Sequence, residues 1–96
     1  MNLSHKIALV TGATGGLGKS ISQKLTENGA QVFLTGRNTK KLKQLLETND
    51  HYIGTESLEL RDTKKIKELI NKVRPDILVN CAGVFPVQSI ENMTEE

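Results

Sequence analysis

The eight residues Thr11-Gly12-Ala13-Thr14-Gly15-Gly16-Leu17-Gly18 constrain this chain more than any other segment. They stand between an apolar run, Ile7 to Val10, and a stretch in which Leu17, Ile21 and Leu25 recur every fourth position. A short continuous apolar run suits a parallel strand covered on both faces, and the fourfold recurrence suits a one-sided helix. Glycines at such a joint let the backbone turn sharply out of the strand and bring the helix close against it.

The same alternation continues along the chain. Val32-Phe33-Leu34 and Ile77-Leu78-Val79 are further strand-like runs, while Leu42, Leu45, Leu46 and Ile66, Leu69, Ile70, Val73 carry helical spacing. Asn28-Gly29, Asn49-Asp50 and Arg74-Pro75 are expected to close the three helices. A third strand is expected at Ser57-Leu58-Glu59-Leu60, where polar and apolar residues alternate as at a half-exposed sheet edge. Strand, helix and strand in repetition imply an α/β fold with a doubly wound parallel sheet in the order 3-2-1-4. The fourth strand is apolar throughout although it would lie at an edge, so it reads as an interior strand with a neighbour missing. At 96 residues the chain is one small domain or part of one.

Charge and composition exclude several functions. Thirteen Lys plus Arg against eleven Asp plus Glu leave a net +2, too weak a field for nucleic acid, and no membrane partner is indicated. The lysines at 40, 41, 43 and at 64, 65, 67 read as solvated helix faces. One cysteine allows no internal disulfide, and His5, His51 and Cys81 lack metal-ligand spacing, so no metal is expected. The run Ile7 to Val10 is too short for a signal peptide or a membrane span, and a cytoplasmic location is expected.

The glycine-rich joint is a ready anion site, because backbone amides and a helix dipole converge on it. Gly12 can make the turn, Gly16 can admit a pyrophosphate to the backbone, and Gly18 can let the helix pack closely, the arrangement of a Rossmann-type dinucleotide site. Ala13 to Ser20 also reads as a relaxed phosphate loop, A-x-x-x-x-G-K-S, with Lys19 and Ser20 placed for phosphate and magnesium. A dinucleotide site selective for NAD carries a carboxylate at the second strand end, about 20 residues past the turn. Here that end is Gly36 followed by Arg37, whose guanidinium suits a 2′-phosphate, so NADP is expected in preference to NAD.

Thr11, Gly12, Gly16 and Gly18 in the pattern T-G-x-x-x-G-x-G, with Asn80-Cys81-Ala82-Gly83 where N-N-A-G would follow the fourth strand, resemble the short-chain dehydrogenase/reductase family. The resemblance runs from the first strand to the last residue. Lys6 to Gly12 and Asp76 to Asn80 look most like its bacterial 3-oxoacyl-(acyl-carrier-protein) reductases, whereas Val84 to Ile90 looks generic for the family. It implies an NADP(H) site built from Gly12, Thr14, Gly15, Gly16, Leu17, Gly18, Arg37, Asp62, Thr63, Asn80, Ala82 and Gly83. Asp62 would contact the adenine, and Cys81 in the second Asn position would be a small residue beside the sheet. The implied activity is reduction of a ketone to an alcohol, with an oligomer expected for the complete enzyme. The family carries its Ser, its Tyr-x-x-x-Lys and a second Asn in a later half, and the only tyrosine here, Tyr52, has Glu56 four residues on, so the resemblance implies that residues 1–96 are the N-terminal, cofactor-binding portion of one domain, truncated before the catalytic half. A triphosphatase fragment and a non-catalytic nucleotide-binding module are the alternatives.

Overall fold

The computed structural model describes residues 2–59 and 61–81. The elements alternate as β1 (Ile7–Thr11), α1 (Gly16–Glu27), β2 (Gln31–Gly36), α2 (Thr39–Leu46), β3 (Tyr52–Ser57), α3 (Thr63–Val73) and β4 (Ile77–Asn80). All pairings are parallel and the sheet order is β3-β2-β1-β4, as the alternating pattern implied.

Apolar strands of this kind bury both faces, and the two sets of side chains separate cleanly. Ala8, Val10, Val32, Leu34, Ile77 and Val79 face a core closed by Leu25 of α1 and by Leu42, Leu45 and Leu46 of α2. Leu9, Phe33 and Leu78 point the other way, against Ile66, Leu69, Ile70 and Val73 of α3. Full burial of Leu42 or Leu69 contributes about 1.5–3 kcal/mol each. The helices therefore lie on both faces of the sheet, α1 and α2 on one and α3 on the other.

Three local expectations are corrected. The face that α1 buries is Gly18, Ser22 and Thr26, one position round from the Leu17, Ile21, Leu25 stripe, and Leu17 is 65% exposed. Small residues win this face because they let the helix axis approach the sheet, with Leu25 reaching in from the flank. The third strand is Tyr52–Ser57 and not Ser57 to Leu60. Leu58 donates its amide to the Gly36 carbonyl (2.8 Å) and then turns inward beneath α3 beside Leu9 and Leu69. Its alternation with Ser57 and Glu59 thus marks burial at a strand exit; Leu60 lies outside the described residues. Lastly, α2 ends at Leu46, three residues before Asn49, whose side chain instead accepts from the His51 amide and donates to the Thr26 hydroxyl.

The other two helix ends fall where expected. Asn28 caps α1 and Gly29 follows at φ 100°, while Arg74, before Pro75, ends α3 in the left-handed region at φ 51°. β4 is anchored at its start by Asp76, which accepts from the Ile7 amide (2.9 Å) and donates its own amide to the Ile7 carbonyl (2.7 Å).

Candidate active-site cleft

β1 leaves the sheet at Gly12, whose φ of 66° is a conformation that side chains disfavour. The turn is held from both sides: the Ala13 amide donates to the Thr35 carbonyl (2.9 Å) and the Gly15 amide to the Gly12 carbonyl (3.2 Å). α1 then starts with Gly15 in extended conformation as its N-cap, and no side chain satisfies its first amides. By contrast, Asn38 caps α2 through the Lys41 amide and Asp62 caps α3 through the Lys65 amide, both at 3.0 Å. The free donors at the start of α1, with the positive end of its dipole, call for an acceptor from outside the chain.

The glycines divide the work. A Cβ on Gly18 would strike the Gly12 carbonyl oxygen and lie 2.8 Å from the Ala13 Cα, so this position carries the close packing of α1 on the turn. A Cβ on Gly16 would meet nothing within 4 Å, so a bare backbone here keeps open the approach to the amides.

At the carboxyl ends of β1 and β2 opens a cleft of about 600 Å³, within the range of small-molecule sites. From β1 and the turn come Thr11, Gly12, Thr14 and Gly15; from β2 and the start of α2 come Thr35, Gly36, Arg37, Asn38 and Lys41; Leu58, Glu59, Arg61 and Cys81 complete the wall. The strand order reverses between β1 and β4: β1 runs on into α1 on one face, whereas β4 is reached from α3 on the other. Open α/β sheets bind ligands in the crevice at such a switch point. Its floor is rigid: the Thr11 hydroxyl donates to Asn80 Oδ1 (2.6 Å), the Cys81 amide to the Thr11 carbonyl (3.0 Å) and the Thr35 hydroxyl to the Val10 carbonyl (3.1 Å). Burial pushes the Cys81 thiol above its ordinary pKa, which leaves it a poor nucleophile at neutral pH.

Of the residues singled out in the sequence, Gly12, Thr14, Gly15 and Arg37 line the cleft, and Gly16, Leu17 and Gly18 form the first turn of α1 beside it. The Asn80 side chain is held by Thr11. Asp62 and Thr63 begin α3 just beyond Arg61, outside the lining, with the Asp62 carboxylate engaged as a cap. Ala82 and Gly83 lie outside the described residues. Asn38, Lys41, Glu59 and Arg61 line the cleft without having been singled out as site residues. Lys41, read as part of a solvated helix face, is indeed exposed, and from the first turn of α2 it also borders the cleft.

The phosphate-loop reading finds no support in this geometry. Lys19 lines a separate hollow of about 270 Å³ with Gln23, Leu45, Thr48, Asn49 and Tyr52. Tyr52 is buried in the core, and that burial raises its hydroxyl pKa. Among the described residues no three His, Cys, Asp or Glu side chains gather as metal ligands, and no helix is long and apolar enough to cross a membrane.

Comparison with known proteins identifies the family. Residues 6–96 match the short chain dehydrogenase family. The chain is 37% identical to a 3alpha-hydroxysteroid dehydrogenase of Mediterraneibacter gnavus, over all of this chain and 42% of that protein. It is 40% identical to a 3-oxoacyl-(acyl-carrier-protein) reductase of Rickettsia typhi, over 88% of this chain and 35% of that protein. Among solved structures, a short chain dehydrogenase/reductase family protein superposes with a TM-score of 0.78 at 30% identity, over 99% of this chain and 43% of that one. The chain thus spans about two fifths of the length of such relatives. With the glycine turn, the uncapped α1 and the switch-point cleft in place, and the family matched from Lys6 to Glu96, the chain belongs to the short-chain dehydrogenases.

Proposed function

We propose that this chain is the NADP(H)-binding, N-terminal portion of a single-domain short-chain reductase that converts a ketone to an alcohol, with an acyl-carrier-protein thioester as the leading substrate class. The observation that carries the reading is the pairing of free α1 amides with the unobstructed space over Gly16, at one end of a cleft whose other end holds Arg37. The α1 amides would hold the pyrophosphate and Arg37 the 2′-phosphate. Leu58, Glu59 and Arg61 line the β3 end, where the adenine is expected. Asp62 caps α3 through Oδ1 alone, so its second carboxylate oxygen remains available to the adenine, with Glu59 nearby in the cleft wall. The nicotinamide supplies hydride when bound. The proton for the product alkoxide needs a positioned acid, worth about 10²–10⁴ in rate; Tyr52 does not supply it, because it is in the core and carries Glu56 four residues on. An oligomer and a cytoplasmic location remain part of this proposal for the complete enzyme.

Fluorescence titration of NADPH onto the chain tests the site. Gly16→Val should abolish binding by filling the open approach, whereas Lys19→Ala should leave it intact. Arg37→Asp should weaken NADPH by roughly 1.5–3 kcal/mol, the scale of a hydrogen bond to a charged group, and spare NADH. Magnesium-dependent ATP binding lost in Lys19→Ala would support the triphosphatase instead.

A further inference from the structure

We infer that the hollow between α1 and α2 is a second ligand site, separate from the cleft, which takes a small organic monocarboxylate. Its volume is about 270 Å³, and its lining is Lys19 and Gln23 of α1, Leu45 of α2, Thr48 and Asn49 of the turn that follows, and Tyr52 at the start of β3. Sites for larger ligands enclose roughly 300–1,000 Å³, so this one suits a compact molecule.

The walls present donors and no carboxylate. Lys19 is exposed and makes no ion pair, since Lys72 with Glu56 is the only such pair among the described residues. The Asn49 side chain is fixed at both ends. It accepts from the His51 amide (2.9 Å) and gives one N–H to the Thr26 hydroxyl (2.9 Å), which leaves its second N–H to donate. Gln23 accepts from Thr26 through its backbone carbonyl, so its side-chain amide is a further donor. The Thr48 hydroxyl is already committed to the Leu45 carbonyl (2.7 Å).

Tyr52 points to a ligand independently. It is only 7% exposed and its ring belongs to the core, yet its hydroxyl makes no hydrogen bond among the described residues. Ser22 Oγ is the one fully enclosed side-chain oxygen left without a partner there, so the Tyr52 hydroxyl reaches the surface, and the hollow is the opening that Tyr52 lines. A buried tyrosine usually sets its hydroxyl against a partner. A carboxylate brings one negative charge and about four acceptor positions on two oxygens. One ammonium, two amides and one phenol match that count, whereas a phosphate dianion would keep a charge without a partner. Leu45 and the tyrosine ring give a short hydrocarbon body its apolar contact.

Tyr52 is the only tyrosine and the chain has no tryptophan, so its intrinsic emission reports on this site alone. Cyclohexanecarboxylate titrated into the 96-residue chain should change that emission saturably, with a dissociation constant of about 1 mM, ordinary for so small a ligand. Cyclohexanecarboxamide, the uncharged counterpart, and inorganic phosphate should each bind several-fold more weakly. Lys19→Gln should weaken the carboxylate several-fold, while Lys24→Gln, an equally exposed change on α1 outside the hollow, should bind it as the parent does. Tyr52→Phe, followed by the amide NMR signals of Thr48 and Asn49, should also weaken it with the ring kept in the core. A titration that stays linear well past that concentration would overturn the site. So would a carboxylate bound no better than the carboxamide or phosphate, or a Lys19→Gln chain that binds like the parent. None of these readouts involves a nucleotide, so failure here leaves the dinucleotide reading standing.

Discussion

Gly18→Ala and Gly16→Ala should move stability in opposite directions, although both replace a glycine in the first turn of the same helix. At Gly18 the new methyl would overlap the Gly12 carbonyl oxygen and sit 2.8 Å from both the Gly12 carbonyl carbon and the Ala13 Cα. These are backbone atoms that cannot rotate away, and the Ala13 amide is pinned to Thr35 at 2.9 Å. Overpacking of this severity costs about 3 kcal/mol, offset by roughly 1 kcal/mol from the better helix propensity of Ala, for a net loss of about 2 kcal/mol. In a domain of this size that lowers the melting temperature by about 8–16 °C. At Gly16 the methyl meets open space, so the smaller entropy of the unfolded chain should raise stability by about 0.4–1 kcal/mol. The same methyl stands where a phosphate would approach, so Gly16→Ala should melt higher yet bind NADPH more weakly. Urea and thermal melts followed by circular dichroism, with a parallel titration, provide the check. A Gly18→Ala chain within about 0.5 kcal/mol of the parent, or two variants destabilised alike, would refute the packing argument.

Four further outcomes are expected. Ser22→Ala should stabilise the chain by about 1 kcal/mol or more in urea melts, because the Ser22 hydroxyl is fully buried without a hydrogen-bond partner. Asp62→Ala should cost about 1 kcal/mol as a lost cap and also weaken NADPH binding; a stability loss with unchanged affinity would take Asp62 out of the cofactor site. Stability should decline with alkalinity, since burial raises the Cys81 and Tyr52 pKa values and the unfolded chain releases those protons first. This contribution is intact below the unfolded values, about 8.5 and 10, and is lost as pH rises through each folded value; melts unchanged from pH 8 to 11 would contradict it. Gly36→Asp should shift preference toward NADH, because a Cβ there makes only ordinary contacts with Leu42 and Thr14 and the carboxylate would repel a 2′-phosphate; an unchanged ratio in competition binding would count against the site.

The strands that were legible in the sequence are those whose two faces are both covered: β1, β2 and β4 announce themselves as apolar runs because α1 and α2 lie over one side and α3 over the other. β3 did not, since its identity rests on backbone pairing to β2. Gly54 lies under the Phe33 ring, the register shifts between Val32 and Phe33, and only Tyr52 of its residues is buried. The buried face of α1 was hidden for a related reason, because Gly18, Ser22 and Thr26 are chosen for closeness to the sheet and a search for apolar periodicity passes over them. In the cleft, the glycine turn and Arg37 were visible as a local pattern. Lys41, Glu59 and Arg61 were not, because what brings them together is the pairing of β2 with β3, and a sequence does not display which strand exits are neighbours.

The links that hold β1 differ greatly in the span of chain they close. The Thr35 hydroxyl reaches Val10 across 25 residues, whereas Asp76 reaches Ile7 and Asn80 meets Thr11 across 69. Closing the longer loop costs about 0.9 kcal/mol more in chain entropy, and it cannot begin until α3 has left the ribosome. β1 and β2, with the glycine turn between them, can pair early, while the Thr11–Asn80 side of the crevice waits for β4 to dock. A nucleotide that binds only the finished crevice therefore adds its binding free energy to this latest step, so cofactor present during synthesis would act as a folding template for β4.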